Sequence, residues 1–500
     1  MIDNLILGFQ VALSWQTLMY CFLGVSIGMF IGVLPGVGPL AAISMLLPIT
    51  YYISPTDALI MLAGIYYGAQ YGGSVASILM RLPGTASSAV VCMDGYEMTK
   101  NGRAGAALFL SALSSFIGGS IGIFLMAGFA PVLSDFALRF GSQEYFLLMA
   151  LGLVAASTLS EGSAVRGLAM VVFGVLLGIV GLDITSGSMR FVYGQFELMD
   201  GVSLVASAMG LFGLSEILSN IGRGSRPDPS GKVTMRSMIP TRKELRDSFP
   251  AIWRGSAIGS FFGTLPGTGS TIASFFSYAT EKKVARNRAR IGQGIVEGVA
   301  GPEAANNSAA QTAFIPTLTL GVPGDAVMAL LLGAMIVHGV NPGPQMLVEA
   351  PEMFWGLVAS FWLGNLILLV FNIPMIGVWV SMLRIPYKLL YPAILVLVVI
   401  GTYSIRYSIF DIYQLLAFGL LGYVLRLLAF PAAPLVLGLV LGPLMEQNFR
   451  RSLMLSDGDF STFVTRPISA VLFTCIVMVL VAQIIAPLLQ RYRARKERPS

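Results

Sequence analysis

The 500-residue chain is poor in the side chains that carry enzyme chemistry: it holds one histidine, His338, and three cysteines. It contains no HExxH run, no CxxC pair and no histidine near a candidate nucleophilic serine, which argues against a zinc or serine hydrolase and against a disulfide scaffold. Cys21, Cys92 and Cys475 stand alone in apolar or loop contexts and read as buried free thiols. The nearest approach to a phosphate-binding loop, Ser230-Gly231-Lys232-Val233, lacks both the upstream glycine and the following Ser/Thr, so ATP-driven work by this chain is excluded. Charge is scarce as well. Only 11% of residues are charged, and from Met1 to Met80 there is no Lys or Arg. The first apolar segment has no basic n-region and no small-residue cleavage site, so no removable signal peptide is expected.

Apolar residues fill the space that charge leaves. They make up 55% of the chain, and its mean hydropathy is +0.78. Soluble domains could not hide that much apolar surface, so the chain is expected to use a lipid bilayer as solvent. Spanning helices need about 20 mostly apolar residues. Such stretches recur at Ala58 to Leu79, Gly105 to Phe129, Glu144 to Leu159, Gly167 to Leu182, Val202 to Leu218, Phe354 to Phe371, Leu389 to Gly401, Tyr413 to Leu428 and Ile468 to Leu489. With others broken by Gly and Pro, roughly ten to fourteen segments fit, giving an all-α polytopic membrane protein. The positive charges cluster at 223–246, 282–290 and 491–498. Each cluster abuts an apolar segment, which marks cytoplasmic loops by the positive-inside rule and argues against a nucleic-acid partner.

The chain repeats itself. Gly24-Val-Ser-Ile-Gly-Met-Phe-Ile-Gly-Val-Leu-Pro-Gly-Val-Gly38 aligns without a gap on Gly255-Ser-Ala-Ile-Gly-Ser-Phe-Phe-Gly-Thr-Leu-Pro-Gly-Thr-Gly269. A weaker match follows each copy, Leu82-Pro83-Gly84-Thr85 and Val322-Pro323-Gly324-Asp325. We therefore expect an N-terminal membrane repeat over 1–222, a basic cytoplasmic linker over 223–247, a C-terminal membrane repeat over 248–490 and a basic tail over 491–500. Proline lacks the backbone donor and glycine relaxes the dihedral restraint, so each PGxG should break a helix inside the membrane. That is tolerated only where protein or a water-filled cavity satisfies the backbone.

The second break has legs of about eleven or twelve residues, Arg254 to Pro266 and Thr271 to Glu281, or roughly 18 Å against a hydrocarbon core of about 30 Å. Both legs lead to basic loops, which predicts a re-entrant hairpin entering from the cytoplasm. The first copy has no basic flanks, which puts its flanks on the outer face and makes the two halves inverted repeats. Matched, interrupted segments of this kind mark a transporter's binding site. The helix restarts offer free N–H groups and a positive dipole end to a carboxylate. Candidate substrate-binding residues are Pro35, Gly36, Val37, Gly38, Gly84, Thr85, Ser87, Pro266, Gly267, Thr268, Gly269, Ser270 and Thr271, with Asn306 and Asn307; Gly324 and Asp325 are candidates for a coupling ion. The competing explanation is that the glycines serve close helix packing alone.

Taken together, these two PGxG segments resemble the large membrane subunit of tripartite tricarboxylate transporters, the TctA family. The resemblance also rests on Tyr67-Gly68-Ala69-Gln70-Tyr71-Gly72-Gly73-Ser74, the Asp94-Gly95-Tyr96 loop, and Asn306-Asn307-Ser308-Ala309-Ala310 leading into Leu320-Gly321-Val322-Pro323-Gly324-Asp325. It runs essentially end to end. It implies a secondary transporter in the bacterial inner membrane, importing a small tricarboxylate or dicarboxylate on a sodium or proton gradient. It also implies two partners, a small membrane subunit and a periplasmic solute-binding protein, and no organic cofactor. An anion channel is the alternative, with an intramembrane enzyme behind it.

Single residues keep two readings each. Asp325 suits a helix N-cap or an ion ligand. Asn306 and Asn307 suit caps and turns or carboxylate and sodium contacts, and Glu303 beside Pro302 suits a loop or helix start. His338 should end a helix, with proton relay as the sharper reading. Arg81 either counters substrate charge or snorkels to an interface. Tyr66, Tyr67 and Tyr71 either line a path or pack.

Overall fold

The apolar stretches read from the sequence all fall on helical segments, although the one at Gly167 to Leu182 leaves its helix at Gly178. The computed structural model describes residues 2–34, 38–159, 163–183, 186–220, 233–265, 269–383 and 387–496. Their only strands are the antiparallel pair Gly181–Leu182 and Met189–Arg190. Among the described residues, four helices are long and apolar enough to cross a membrane: Trp15–Val33, Ala104–Ala137, Pro351–Asn372 and Ile409–Leu427. The chain is an all-α membrane protein.

Contacts divide it into two compact units, 1–135 with 203–424, and 136–202 with 425–500. Both copies of the repeated motif lie in the first. Eleven of its helices are numbered α1 (Trp15–Val33), α2 (Pro39–Thr50), α3 (Pro55–Met80), α4 (Val91–Lys100), α5 (Ala104–Ala137), α6 (Arg242–Gly263), α7 (Gly269–Val284), α8 (Glu297–Thr312), α9 (Phe314–Leu320), α10 (Ala326–Val337) and α11 (Pro351–Asn372). Local chemistry sets their starts. Pro39, Pro55 and Pro351 open helices at the position where the missing N–H costs nothing. Ser14, Ser54 and Asp325 accept the amides of Thr17, Asp57 and Met328 as N-caps. Thr241 and Glu244 form a capping box at α6. Burial pushes the Glu244 carboxyl up, but hydrogen bonds from Arg103 and Thr241 outweigh it and hold the group below its ordinary value.

The core of the unit is unusual in its polarity. Helix α3 is buried at every residue from Asp57 to Met80, and α8 is buried throughout. These two are matched members of the repeat. Gly24, Gly28 and Gly32 on α1 pack directly on the carbonyls of Met61, Ile65 and Ala69; Gly255, Gly259 and Gly263 on α6 pack on those of Gly301, Ala305 and Ala309. Aligning the two sets places Leu82-Pro83-Gly84-Thr85 on Val322-Pro323-Gly324-Asp325 without a gap. Thus the glycine spacing that heads each copy does serve close helix contact, as the packing explanation requires.

Direction follows from the contacts. Helices α2 and α10 end together, where Thr50 Oγ1 lies 3.2 Å from His338 Nε2 and the Tyr51 ring tilts over the imidazole. Helices α4 and α7 meet elsewhere, where Tyr278 Oη donates to Asp94 at 2.9 Å. Helix α3 runs from Asp57, bonded to Thr17 and Gln16, to Ile78, whose carbonyl accepts from Thr99 on α4. Helix α8 runs the other way, starting beside Asp94 and reaching Ser74 of α3 at Glu303. Arg254 of α6 clasps Glu281 of α7 with two hydrogen bonds of 2.9 and 2.6 Å, so these helices fold back as a hairpin.

In the second unit, Ala164–Gly178 packs on Ala433–Leu455 at Gly174 and Gly438. Asp183, Arg190, Glu446 and Arg450 pin the strand pair to that helix with alternating ion pairs of 2.8 to 3.1 Å.

Candidate functional site

Gln70 is buried halfway along α3, and a buried amide must find partners. It finds them on two different segments. Its Oε1 accepts from Ser87 Oγ at 2.6 Å, and its Nε2 donates to Ser270 Oγ at 3.3 Å. The Ser87 and Thr85 hydroxyls are 3.0 Å apart. One turn earlier, Tyr66 Oη donates to Asp325 Oδ2 at 3.0 Å, while Asp325 Oδ1 accepts the Met328 amide at 2.9 Å. Gly269 turns left-handed at φ +62°, and a Cβ there would stand 3.2 Å from that of Asp325. The loop after α3, the start of α7 and the start of α10 therefore converge on Tyr66 and Gln70. Two helix N-termini, at Gly269 and Ala326, open at this junction and supply positive potential without a cationic side chain.

A second polar layer lies beyond it. Glu303 Oε1 accepts from Ser74 Oγ at 2.6 Å and Oε2 from Ser115 Oγ at 3.0 Å. Asn307 Nδ2 donates to Ser115 Oγ at 2.8 Å and to the Glu303 carbonyl at 3.1 Å. Tyr71 donates to Asn365 of α11, whose amide in turn reaches Ser120 on α5. Asn306 is 1% exposed, and both its amide atoms lack a partner.

The structure brings Thr85, Ser87, Gly269, Ser270 and Asp325 together. It sets Asn306 and Asn307 on the buried helix behind them and leaves Thr271 half-buried at the start of α7. Gly84 is wedged against Gly32 and Gly73, and Gly324 against Ala313. Among the described residues, nothing lies within 4 Å of a Cβ placed at Gly38. Pro35, Gly36, Val37, Pro266, Gly267 and Thr268 lie outside the described residues. Two expectations are corrected. Asp94-Gly95-Tyr96 is not a loop but part of α4, and Glu303 is not at a helix start but within α8. Pro302 removes only the bond to Gly298 in the second turn, and burial along the whole helix carries it through. His338 ends α10, as its Gly neighbour suggested. Arg81 takes a left-handed conformation closing α3, with its guanidinium 6.0 Å from the Tyr96 ring centre. Sequence reading missed Gln70, Ser74 and Ser115 as members of the site. A lone glutamine in a helix otherwise rich in small and apolar residues was the available signal.

The two copies of the repeat thus meet at a polar junction of hydroxyls, one carboxylate and two helix N-termini, and the family to which the chain belongs is one of membrane transport subunits. The chain belongs to the tripartite tricarboxylate transporter TctA family, whose family model matches residues 18–437. It is 49% identical over 488 residues to an uncharacterized 52.8 kDa protein of Agrobacterium vitis from the TAR-I ttuC′ 3′ region, covering 97% of each chain. A second uncharacterized A. vitis protein, from the TAR-II ttuC′ 3′ region, is 51% identical over 230 residues, covering 45% of this chain and 95% of that one.

Proposed function

We propose that this chain imports a small tricarboxylate or dicarboxylate across the bacterial inner membrane on a sodium or proton gradient. A periplasmic solute-binding protein would deliver the anion and a small membrane subunit would complete the complex. The observation that carries this reading is the convergence of Ser87, Ser270 and Asp325 on Tyr66 and Gln70. There, hydroxyls from both copies of the repeat and two helix N-termini of the second copy face one place, the chemistry that holds a carboxylate in a water-poor site. The tips at Gly36 to Gly38 and Gly267 to Thr271 would contribute backbone amides to the anion, with Gly324 and Asp325 beside a coupling cation. The two halves, 1–222 and 248–490, are taken as inverted repeats. The opposite courses of α2 and α7, and of α3 and α8, support that assignment. Access to the site would alternate by movement of one part against the rest.

Uptake of labelled citrate, succinate and malate into proteoliposomes holding the complex, with and without sodium and proton gradients, tests this reading. Saturable, gradient-driven uptake that Gly269→Leu abolishes is the expected result. Uptake that never exceeds equilibrium under any gradient would mean an anion channel, and no flux at all would end the transport reading.

A further inference from the structure

Glu303 is a carboxylate with no cation. It is fully buried, and its oxygens are met by the neutral hydroxyls of Ser74, Ser115 and Ser111. The charged groups on the neighbouring helices are committed elsewhere. On α4, Asp94 accepts the amides of Gly292, Gly294 and Ile295 and the Tyr278 hydroxyl. On α7 and α6, Glu281 is paired with Arg254. Helix α3 faces Glu303 with Ser74 and with Tyr71, whose hydroxyl is engaged by Asn365. Helix α5 presents Ser115 and Ser111, and on α6 Ser260 is bonded to Ser308. Glu297, at the start of α8, accepts from Asn287. No Lys, Arg or His among the described residues forms an ion pair with Glu303.

An ionised carboxylate left alone at such a place is among the costliest arrangements in a membrane protein. A neutral one, or one holding a small cation, is not. The surroundings suit a group that changes between the two. Ser74 and Ser115 can each turn from donor to acceptor, as hydroxyls do. Asn306, on the same face one turn along, keeps a carbonyl oxygen and an amide free and buried. The site also bridges the repeat, since Ser74 belongs to α3 of the first copy and Glu303 to α8 of the second.

We propose that Glu303 is the seat of a second coupling charge, a proton or a sodium ion taken up and released once per transport cycle, in addition to any held at Asp325. The inference rests on the transport reading above. A carboxylate substrate carrying two or three negative charges cannot enter a low-dielectric junction beside two ionised acids unless more than one positive charge accompanies it. Release of that cation on the far side would re-ionise Glu303 and set the next turnover.

The test separates cation-coupled accumulation from exchange of the anion for itself, which needs no net cation movement. Glu303→Gln keeps the size and hydrogen bonding of the neutral acid. In proteoliposomes holding the full complex, it should lower gradient-driven citrate accumulation by about tenfold or more and leave citrate–citrate exchange within about twofold of wild type. Glu303→Asp, which restores the charge, should recover part of the accumulation. Loss of a pH-jump drive in the Gln variant identifies the cation as a proton, and loss of a sodium drive identifies it as sodium. Accumulation unchanged in Glu303→Gln overturns the proposal. So does loss of exchange and accumulation together in a variant that elutes as a folded complex, which would make Glu303 a structural residue. Wild-type complex inactive in both assays would instead defeat the transport reading. Infrared difference spectra add a readout that does not need substrate. A carboxyl band that responds to pH or sodium in wild type and is missing from Glu303→Gln is expected, and its absence from wild type counts against the proposal.

Discussion

Asp94 and Asp325 show how the same side chain takes different work from its neighbours. Asp94 is fully buried, and its two oxygens gather the amides of Gly292, Gly294 and Ile295 with the Tyr278 hydroxyl. This carboxylate turns the chain between α7 and α8 and ties it to α4. Removing it would leave buried amides unsatisfied, at about 1–3 kcal/mol for each donor stranded. Asp94→Ala should therefore cost more stability than any other single carboxylate deletion in the first unit, read as a loss of monodisperse protein or a lower melting temperature in detergent. Asp325 caps α10 through one amide and accepts one tyrosine hydroxyl, leaving acceptor capacity at the junction. Its capping role was legible from its place after Pro-Gly and before an apolar run. The partnership with Tyr66 was not, because the two residues are far apart in sequence and nothing local encodes their meeting.

At the level of helices, the glycines divide into two groups that the sequence presents as one. Gly28 and Gly259 stand against carbonyls of Ile65 and Ala305, where a methyl group has no room. Among the described residues, Gly38 has no neighbour near enough to resist one. Replacing Gly28 or Gly259 by Ala should destabilise α1 on α3 or α6 on α8 by about 1–3 kcal/mol, as overpacking does. Gly38→Ala should leave thermal stability in detergent unchanged and act on transport alone. Equal losses of stability from all three changes would mean that Gly38 is a packing residue too. The repeat and the apolar helices were readable because motif identity and runs of apolar residues are local features of the chain. The buried polar layer was less so. Glu303 follows a proline, and proline is a local signal for a helix boundary, yet burial on every side overrides it. Ser74 and Ser115 are unremarkable in sequence and acquire meaning only through Glu303 on α8, and Gln70, a lone amide in its helix, gains its role only through Ser87 and Ser270.

Across the molecule, inverted halves make one prediction that neither copy makes alone. The Thr50 and His338 ends of α2 and α10 lie together, and the Asp94 and Tyr278 positions of α4 and α7 lie together at another place. If the two copies enter the bilayer from opposite faces, Ser54 and Asn341 belong to the outer face, while Lys100 and Lys282 belong to the cytoplasmic one, in keeping with the basic loop that follows Lys282. All four are exposed. Single cysteines at these positions, in a background lacking Cys21, Cys92 and Cys475, should react with a membrane-impermeant maleimide as two pairs. Intact cells should label Ser54→Cys and Asn341→Cys, and inverted membrane vesicles should label Lys100→Cys and Lys282→Cys. Labelling of Ser54→Cys and Lys282→Cys from the same face would remove the inverted arrangement. The junction at Tyr66 and Gln70 would then have to be reached from one side only, as a pore vestibule is, and alternating access would lose its structural basis.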